Sequence, residues 1–205
     1  MPSSSGSSPQ GPPGPVIVVT GTSGAGKGTI ERMLLERHPE LELAVSATTR
    51  DRRPNEVDGK HYWFLSDEEF DRRLEEKGFL EYVTFPWGQR SGTLLSEIDR
   101  IREAGRVPLL DLETDGALYV QKKVPGAVTI FVTAPTFEEL ERRLRARATE
   151  SAGEIGERLA LAREQLELAD EFDHVIVNDD LERAAAEADA IVREEIKRGQ
   201  VPLSP

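Results

Sequence analysis

The chain contains no cysteine. That excludes disulfides, thiolate zinc sites, iron–sulfur clusters and cysteine nucleophiles together, and it fits a cytoplasmic setting. Positive charge is scarce: 26 lysines and arginines stand against 38 aspartates and glutamates, a formal net charge of −12. The summed field should repel DNA, RNA and anionic membranes, so neither nucleic acid nor membrane is expected as a partner. No apolar run approaches the ~20 residues of a spanning helix, and the amino-terminal stretch lacks the basic start and apolar segment of a signal peptide. What is present, 38% hydrophobic residues over a length of 205, suffices for one α/β domain with a real core and a small insert.

Residues 1–15, MPSSSGSSPQGPPGP, offer nothing apolar to bury and read as a disordered leader. From Val16 the pattern changes. Val16-Ile17-Val18-Val19 is a β-branched run of the kind buried on both faces of a parallel sheet. Similar runs recur at Val107–Leu110, Val128–Val132 and Val175–Val177. Helical spacing appears between them at Ile30, Met33 and Leu34 and at Phe137, Leu140 and Leu144. Strands alternating with helices imply βαβ units, hence an α/β fold with a parallel sheet flanked by helices. The stretch from about Ser46 to Thr93 breaks that rhythm. Aromatic-rich strands at His61–Phe64 and Phe79–Val83 flank a charged helix at Asp67–Lys77, which reads as a small α+β insert. Residues 135–170 carry arginine-studded helices with little large apolar content and read as a helical lid that projects from the body.

The first strand runs into Gly21-Thr22-Ser23-Gly24-Ala25-Gly26-Lys27-Gly28-Thr29 and then a helix. Glycines let successive N–H groups turn inward as an anion nest, the helix N-terminus adds partial positive charge, and Lys27 supplies a point charge for terminal phosphates. A nucleoside triphosphate is the expected ligand. Gly28 holds the place where P-loops commonly carry serine or threonine, and Thr29 follows one residue late as the hydroxyl for magnesium. A second cationic cluster, Arg50, Arg52 and Arg53, stands out in so acidic a chain and suits a second phosphate, because guanidinium forks bind phosphate oxygens bidentately. An exposed basic loop is the competing reading. The three histidines, His38, His61 and His174, read as structural.

The P-loop followed by Ser46-Ala47-Thr48-Thr49-Arg50, Arg53, Glu56, Gly59 and Tyr62 resembles guanylate kinase. The strings Phe79-Leu80-Glu81-Tyr82, Leu110-Asp111-Leu112-Glu113, Arg147-Ala148-Thr149-Glu150 and Val177-Asn178-Asp179-Asp180 follow in that family's order. The resemblance spans about Val16 to Arg193. It implies a P-loop NTPase core at 16–45, 94–134 and 171–205, a GMP-binding insert at 46–93 and a lid at 135–170. It further implies transfer of the γ-phosphoryl group of ATP to GMP, with dGMP a further candidate acceptor and Mg²⁺ accompanying ATP.

By the same resemblance Gly21 to Thr29 and Asn178 bind ATP. Arg50, Arg53 and Tyr62 hold the GMP phosphate, and Ser46, Glu81, Thr93 and Glu113 read the guanine. Lys27, Arg143, Arg147 and Arg158 neutralise the moving phosphoryl group. Glu81 suits its role chemically, since guanine offers N1–H and N2–H together to one carboxylate whereas adenine presents an acceptor. Asp111 has two open readings: a partner of magnesium's water shell beside Thr29, or a cap or GMP-site hydrogen bond. Asp179 and Asp180 likewise suit N-capping of the terminal helix. Arg142, Arg143 and Arg145 can equally form an exposed face paired with Glu138, Glu139 and Glu141.

The chain departs from the family where Ser91 replaces a tyrosine, leaving Arg90 or Ser91 to serve the phosphate, and where Asn55 replaces a glycine in a turn that asparagine's tolerance of left-handed backbone would preserve. Glu113 stands where aspartate is common. Two other readings compete: a kinase-like scaffold module without phosphate chemistry, and a small kinase for another acceptor, as adenylate kinase is. Monomer and homodimer are both open.

Overall fold

A computed structural model describes residues 15–85, 87–146 and 152–200. The expected leader falls almost wholly outside these residues. Strand β1 (Val16–Gly21) lies at the centre of a five-stranded sheet, and its first four residues have no exposed surface. The order is β2 (Leu41–Leu43), β7 (Val107–Asp111), β1, β8 (Ala127–Thr133), β9 (His174–Val177), every neighbouring pair parallel. Because successive side chains of a strand point to opposite faces, the single run Val16–Val19 serves two cores. Ile17 and Val19 join helices α1 (Lys27–Arg37) and α7 (Leu181–Gln200) through Ile30, Leu34, Ala188 and Val192. Val16 and Val18 join α3 (Leu95–Glu103) and α4 (Thr114–Lys123) through Ile98, Ile101, Ala117 and Val120. Continuous apolar character in β1 is the sequence's record of being covered on both sides.

The insert builds its own four-stranded mixed sheet, ordered β4 (Trp63–Phe64), β3 (Ala47–Thr48), β6 (Arg90–Leu94), β5 (Phe79–Thr84). Helix α2 (Asp67–Glu75) covers it, opened by Ser66, whose Oγ accepts from the Glu69 N–H at 3.1 Å. Phe70 of α2 is fully buried and stacks on Phe79 at a 4.4 Å centroid separation, with Tyr82 edge-on. A register shift between Phe79 and Glu81 inserts an extra residue into β5. The bulge lets Phe79 and Tyr82 share the α2 face while Glu81 points the other way, as bulges re-aim side chains.

The segment read from sequence as a projecting lid is held to the core at several points. Leu140 and Leu144 of α5 (Phe137–Ala146) and Ala162 of α6 (Ala152–Glu167) are buried, and Leu140 and Ala162 belong to the same core as β1. The charged helix of the insert ends at Glu75 rather than Lys77, whose positive φ of 54° turns the chain away. Asn55 does not adopt the left-handed conformation expected of it. Its turn closes instead through the Glu56 N–H on the Arg53 carbonyl at 3.0 Å. No helix among the described residues is long and apolar enough to cross a membrane.

Since Phe70 is fully buried and stacked on Phe79, Phe70→Ala should lower unfolding free energy by about 3–5 kcal/mol. Urea denaturation followed by tryptophan fluorescence would measure this; a loss under about 1 kcal/mol would mean that the insert's helix is not seated on that ring.

Candidate active site

The P-loop is shaped by positions that only glycine serves well. Gly21 has φ +146°, and a Cβ there would run into the Val132 carbonyl. Gly26, at φ +89°, caps α1, and a Cβ would lie 2.6 Å from the Asn178 amide nitrogen. Asn178, at the end of β9 and buried, donates Nδ2 to the Ala25 carbonyl at 2.7 Å, and Arg143 of α5 donates to the Asn178 carbonyl at 2.9 Å. The loop is therefore clamped from outside at Ala25 and Gly26. Asp180, meanwhile, caps α7 by accepting from the Arg183 N–H at 2.9 Å, the structural role weighed for it from sequence.

Lys27 opens α1 and forms an ion pair with Asp111, the last residue of β7. The parallel register sets this meeting: Val19 of β1 stands opposite Asp111, so both strand ends release their polar residues at one edge. Burial alone would lower the Lys27 pKa, but Asp111, Glu31 and Glu113 outweigh it and hold the ammonium above its ordinary value. Thr29 is half-buried in the first turn of α1. Among the described residues no three His, Asp, Glu or Cys side chains converge as a metal cluster.

A cleft of 1040 Å³ separates the two sheets. Lys27, Asp111 and Glu113 face it from the core. Ser46, Arg50, Tyr62, Glu81 and Ser91 face it from the insert. Glu81 is buried, and its Oε1 accepts from both the Thr93 N–H (2.9 Å) and the Thr93 hydroxyl (2.8 Å). Burial raises its pKa, with the two Thr93 bonds working in the opposite direction. Arg50 makes a two-pronged pair with Glu56 at 2.9 and 2.7 Å, and its guanidinium lies 5.3 Å from the Tyr62 ring centre. The Glu56 carboxyl is held at about 2, first by the Arg50 hydrogen bonds and then by the Arg53 N–H.

The structure does not bring every sequence-selected residue together. Arg53 is exposed and outside the cleft wall. Arg90, one of two candidates to replace the missing tyrosine, is turned away: it pairs with Asp67 and Asp71 and stacks over Phe70 at 4.5 Å. Ser91 faces the cleft, with its hydroxyl donating to the Ala47 carbonyl at 3.0 Å. The exposed-face reading holds for the α5 arginines in part, since Arg142 and Arg143 pair with Glu139 and Arg145 with Glu141. Arg158 sits half-buried on α6, and Arg147 lies outside the described residues.

Sequence reasoning passed over Glu31. It lies one helical turn beyond Lys27 and is buried, with Oε1 lacking a hydrogen-bond partner. Its i+4 spacing from Lys27 was the available signal, but spacing does not reveal burial. Desolvation, then Asp111, raise its pKa from 4.5 to about 7, against the pull of Lys27. Gln165 of α6, also unforeseen, donates to the Glu113 carboxylate at 3.4 Å and links α6 to the cleft.

A family model described as Guanylate kinase matches residues 14–195. The guanylate kinase of Rubrobacter xylanophilus is 47% identical over 186 residues, which cover 91% of this chain and 97% of the relative. That of Synechococcus elongatus is 44% identical over 179 residues, covering 87% and 97%. The crystal structure of guanylate kinase from Anaplasma phagocytophilum superposes with a TM-score of 0.70 at 28% identity, covering 90% of this chain and 87% of that one.

Ionising Glu31 opposes folding, because its folded pKa lies above the unfolded value. Stability tied to this group is intact below pH 4.5 and is lost as pH rises towards about 7. The Glu31→Gln variant should escape that loss, so its melting temperature relative to the parent should climb between pH 4.5 and 7 and then level off. Thermal melts at half-unit pH steps test this; a difference independent of pH would refute the buried-carboxylate account.

Proposed function

The chain belongs to the guanylate kinase family and transfers the γ-phosphoryl group of ATP to GMP, giving ADP and GDP, and from that premise we propose how its own residues divide the work. The P-loop, Gly21 to Thr29, cradles the triphosphate of ATP, with Asn178 bracing the loop at Ala25. GMP lies against the insert side of the cleft, its phosphate on Arg50 and Tyr62 with Ser91 nearby and with Arg53 swinging in from its exposed position, its base on Ser46, Glu81 and Thr93 and, from the core side, on Glu113. The observation that carries this reading is the single cleft faced by both Lys27 and Glu81: a phosphate cation and a base-reading carboxylate share one solvent space.

Phosphoryl transfer asks the protein for alignment and charge rather than covalent chemistry. A GMP phosphate oxygen is already anionic, so it forms the new P–O bond to the γ-phosphorus without a general base. The bond to the β,γ-bridging oxygen breaks, and ADP leaves with that electron pair. Lys27 neutralises charge from the loop side. Arg143, Arg147 and Arg158 do so from the lid, with Arg143 releasing its present contacts as the lid closes. Guanine is selected because Glu81 Oε1 is already held by Thr93, which fixes the carboxylate plane against the two donors of the base. A carboxylate so buried would reject adenine's acceptor edge strongly.

Magnesium accompanies ATP in this reading. The two partners read for it offer hard oxygens, the Asp111 carboxylate facing the cleft with Lys27 and the Thr29 hydroxyl on the first turn of α1, outside the cleft lining, and no protein cage is present among the described residues. That set fits an ion that keeps most of its water and rides on the phosphates. When bound, the ion would draw charge from the β- and γ-phosphate oxygens. The separate mixed sheet supports assigning 46–93 as the GMP-binding insert, with 16–45, 94–134 and 171–205 as core and 135–170 as lid. The net charge of −12 speaks against nucleic-acid partners, and the lack of cysteine agrees with a cytoplasmic location.

Coupled ADP release measured with GMP, AMP, CMP and UMP in turn should show turnover with GMP and little with the others; AMP preference would overturn the acceptor assignment. Lys27→Met should reduce kcat at least about a thousandfold while calorimetric GMP affinity stays within about threefold, and an unchanged kcat would remove Lys27 from the chemistry. Glu81→Gln should erode preference for GMP over AMP and leave the KM for ATP nearly unchanged; the reverse pattern would refute the role given to that carboxylate.

A further inference from the structure

Gly116 occupies the first turn of α4, a helix that packs against β5. Its φ is not positive, so the backbone does not require glycine there. Alanine suits a helix better on intrinsic grounds. Space supplies the reason instead. A Cβ at Gly116 would stand 2.9 Å from Glu81 Oε2 and 3.5 Å from the carboxyl carbon, and beyond its own helix backbone and chain neighbours nothing outside Glu81 comes nearer than 3.8 Å. The first distance is closer than a carbon and a carboxylate oxygen normally approach.

The carboxylate cannot simply yield. Its other oxygen is tied to the Thr93 N–H and hydroxyl, and Glu81 is buried. Any added atom would therefore tilt the carboxyl plane or pull Oε1 off Thr93. Only the end of one side chain need move, so the cost falls on the orientation of the carboxylate while the backbone is spared. The first turn of α4 also faces the carboxylate, and the positive end of a helix favours an anion placed beside it.

We infer that Gly116 is a positioning residue for base recognition: the missing side chain lets the Glu81 carboxylate lie flush against α4 in the one orientation that meets both guanine donors. The inference rests on the reading of Glu81 given above. It assigns Gly116 no contact with substrate, only the task of leaving room. The bulge in β5 and the glycine in α4 are then two halves of one arrangement, the first aiming Glu81 at the helix and the second admitting it.

A double-mutant cycle on the full chain tests this, with GMP affinity read by calorimetry and the KM for ATP as a control on the fold. Gly116→Ala should weaken GMP about tenfold or more, leave the KM for ATP within about twofold, and lower preference for GMP over AMP. In a Glu81→Ala background, where no carboxylate remains to displace, the same substitution should change GMP affinity by less than about twofold. That double variant should fold even if the single one does not, since the crowding is gone. Unchanged GMP affinity in Gly116→Ala, or an equal loss in both backgrounds, overturns the inference while leaving the role of Glu81 standing. No loss from Glu81→Ala alone overturns that role and this inference with it.

Discussion

An ammonium and a carboxylate released at the same edge of a parallel sheet organise everything else in this molecule. Lys27 and Asp111 meet because β1 and β7 run side by side in a register that places Val19 against Asp111. That register is fixed by burial: a slip of one residue would send Ile17 and Val19 to the face lined by α3 and α4, and Val16 and Val18 to that of α1 and α7. The hydrophobic alternation thus determines where the charges emerge. The P-loop follows β1 directly, and Asn178 and Arg143 brace it from β9 and α5. The phosphate cradle is in this sense a by-product of how the central strands pack.

The second wall is assembled by a different device. The insert has little core beyond Phe70 and the half-buried Phe79, and its job is to hold a few polar groups at fixed angles. The β5 bulge turns Glu81 inward, Thr93 on the neighbouring strand grips one of its oxygens, and Glu56 holds the fork of Arg50. Each of these groups is oriented by a neighbour on another strand or loop, which is what selection of a rigid, planar base requires. The family to which the chain belongs is thus expressed here as two walls of unlike character, one set by packing and one by hydrogen bonds.

Legibility in the sequence follows that division. The β-branched run Val16–Val19 announced a strand covered on both faces, and the glycines with Lys27 announced the loop, because both signals are local and depend on few neighbours. The runs from Val107, Val128 and Val175 fall within observed strands for the same reason. Strand β2, three residues long, carried no pattern to read. Arg90 illustrates a deeper limit: an arginine beside a phosphate site looks available, yet Asp67, Asp71 and Phe70 claim it from a helix nineteen to twenty-three residues away. Glu31 drew no notice in the sequence, because its burial and the like charge of Asp111, eighty positions on, are set only by the fold. Asn55 did not need the backbone conformation for which it was credited, since an ordinary turn hydrogen bond suffices. What could not be read in each case was a partner distant in sequence.

The pairing of Arg50 with Glu56 carries a consequence for how anions compete for the cleft. Together with Lys27 on Asp111, it means that both cationic anchors already hold an internal counter-anion. A small free anion approaching either side chain must share it with a carboxylate that is covalently tethered and therefore always at hand, so neither cation offers an uncontested charge. Only a ligand that brings further attachment points of its own, a ribose and a base, overcomes that built-in competitor. At these two side chains, competition against bare anions thus precedes any inspection of the nucleobase.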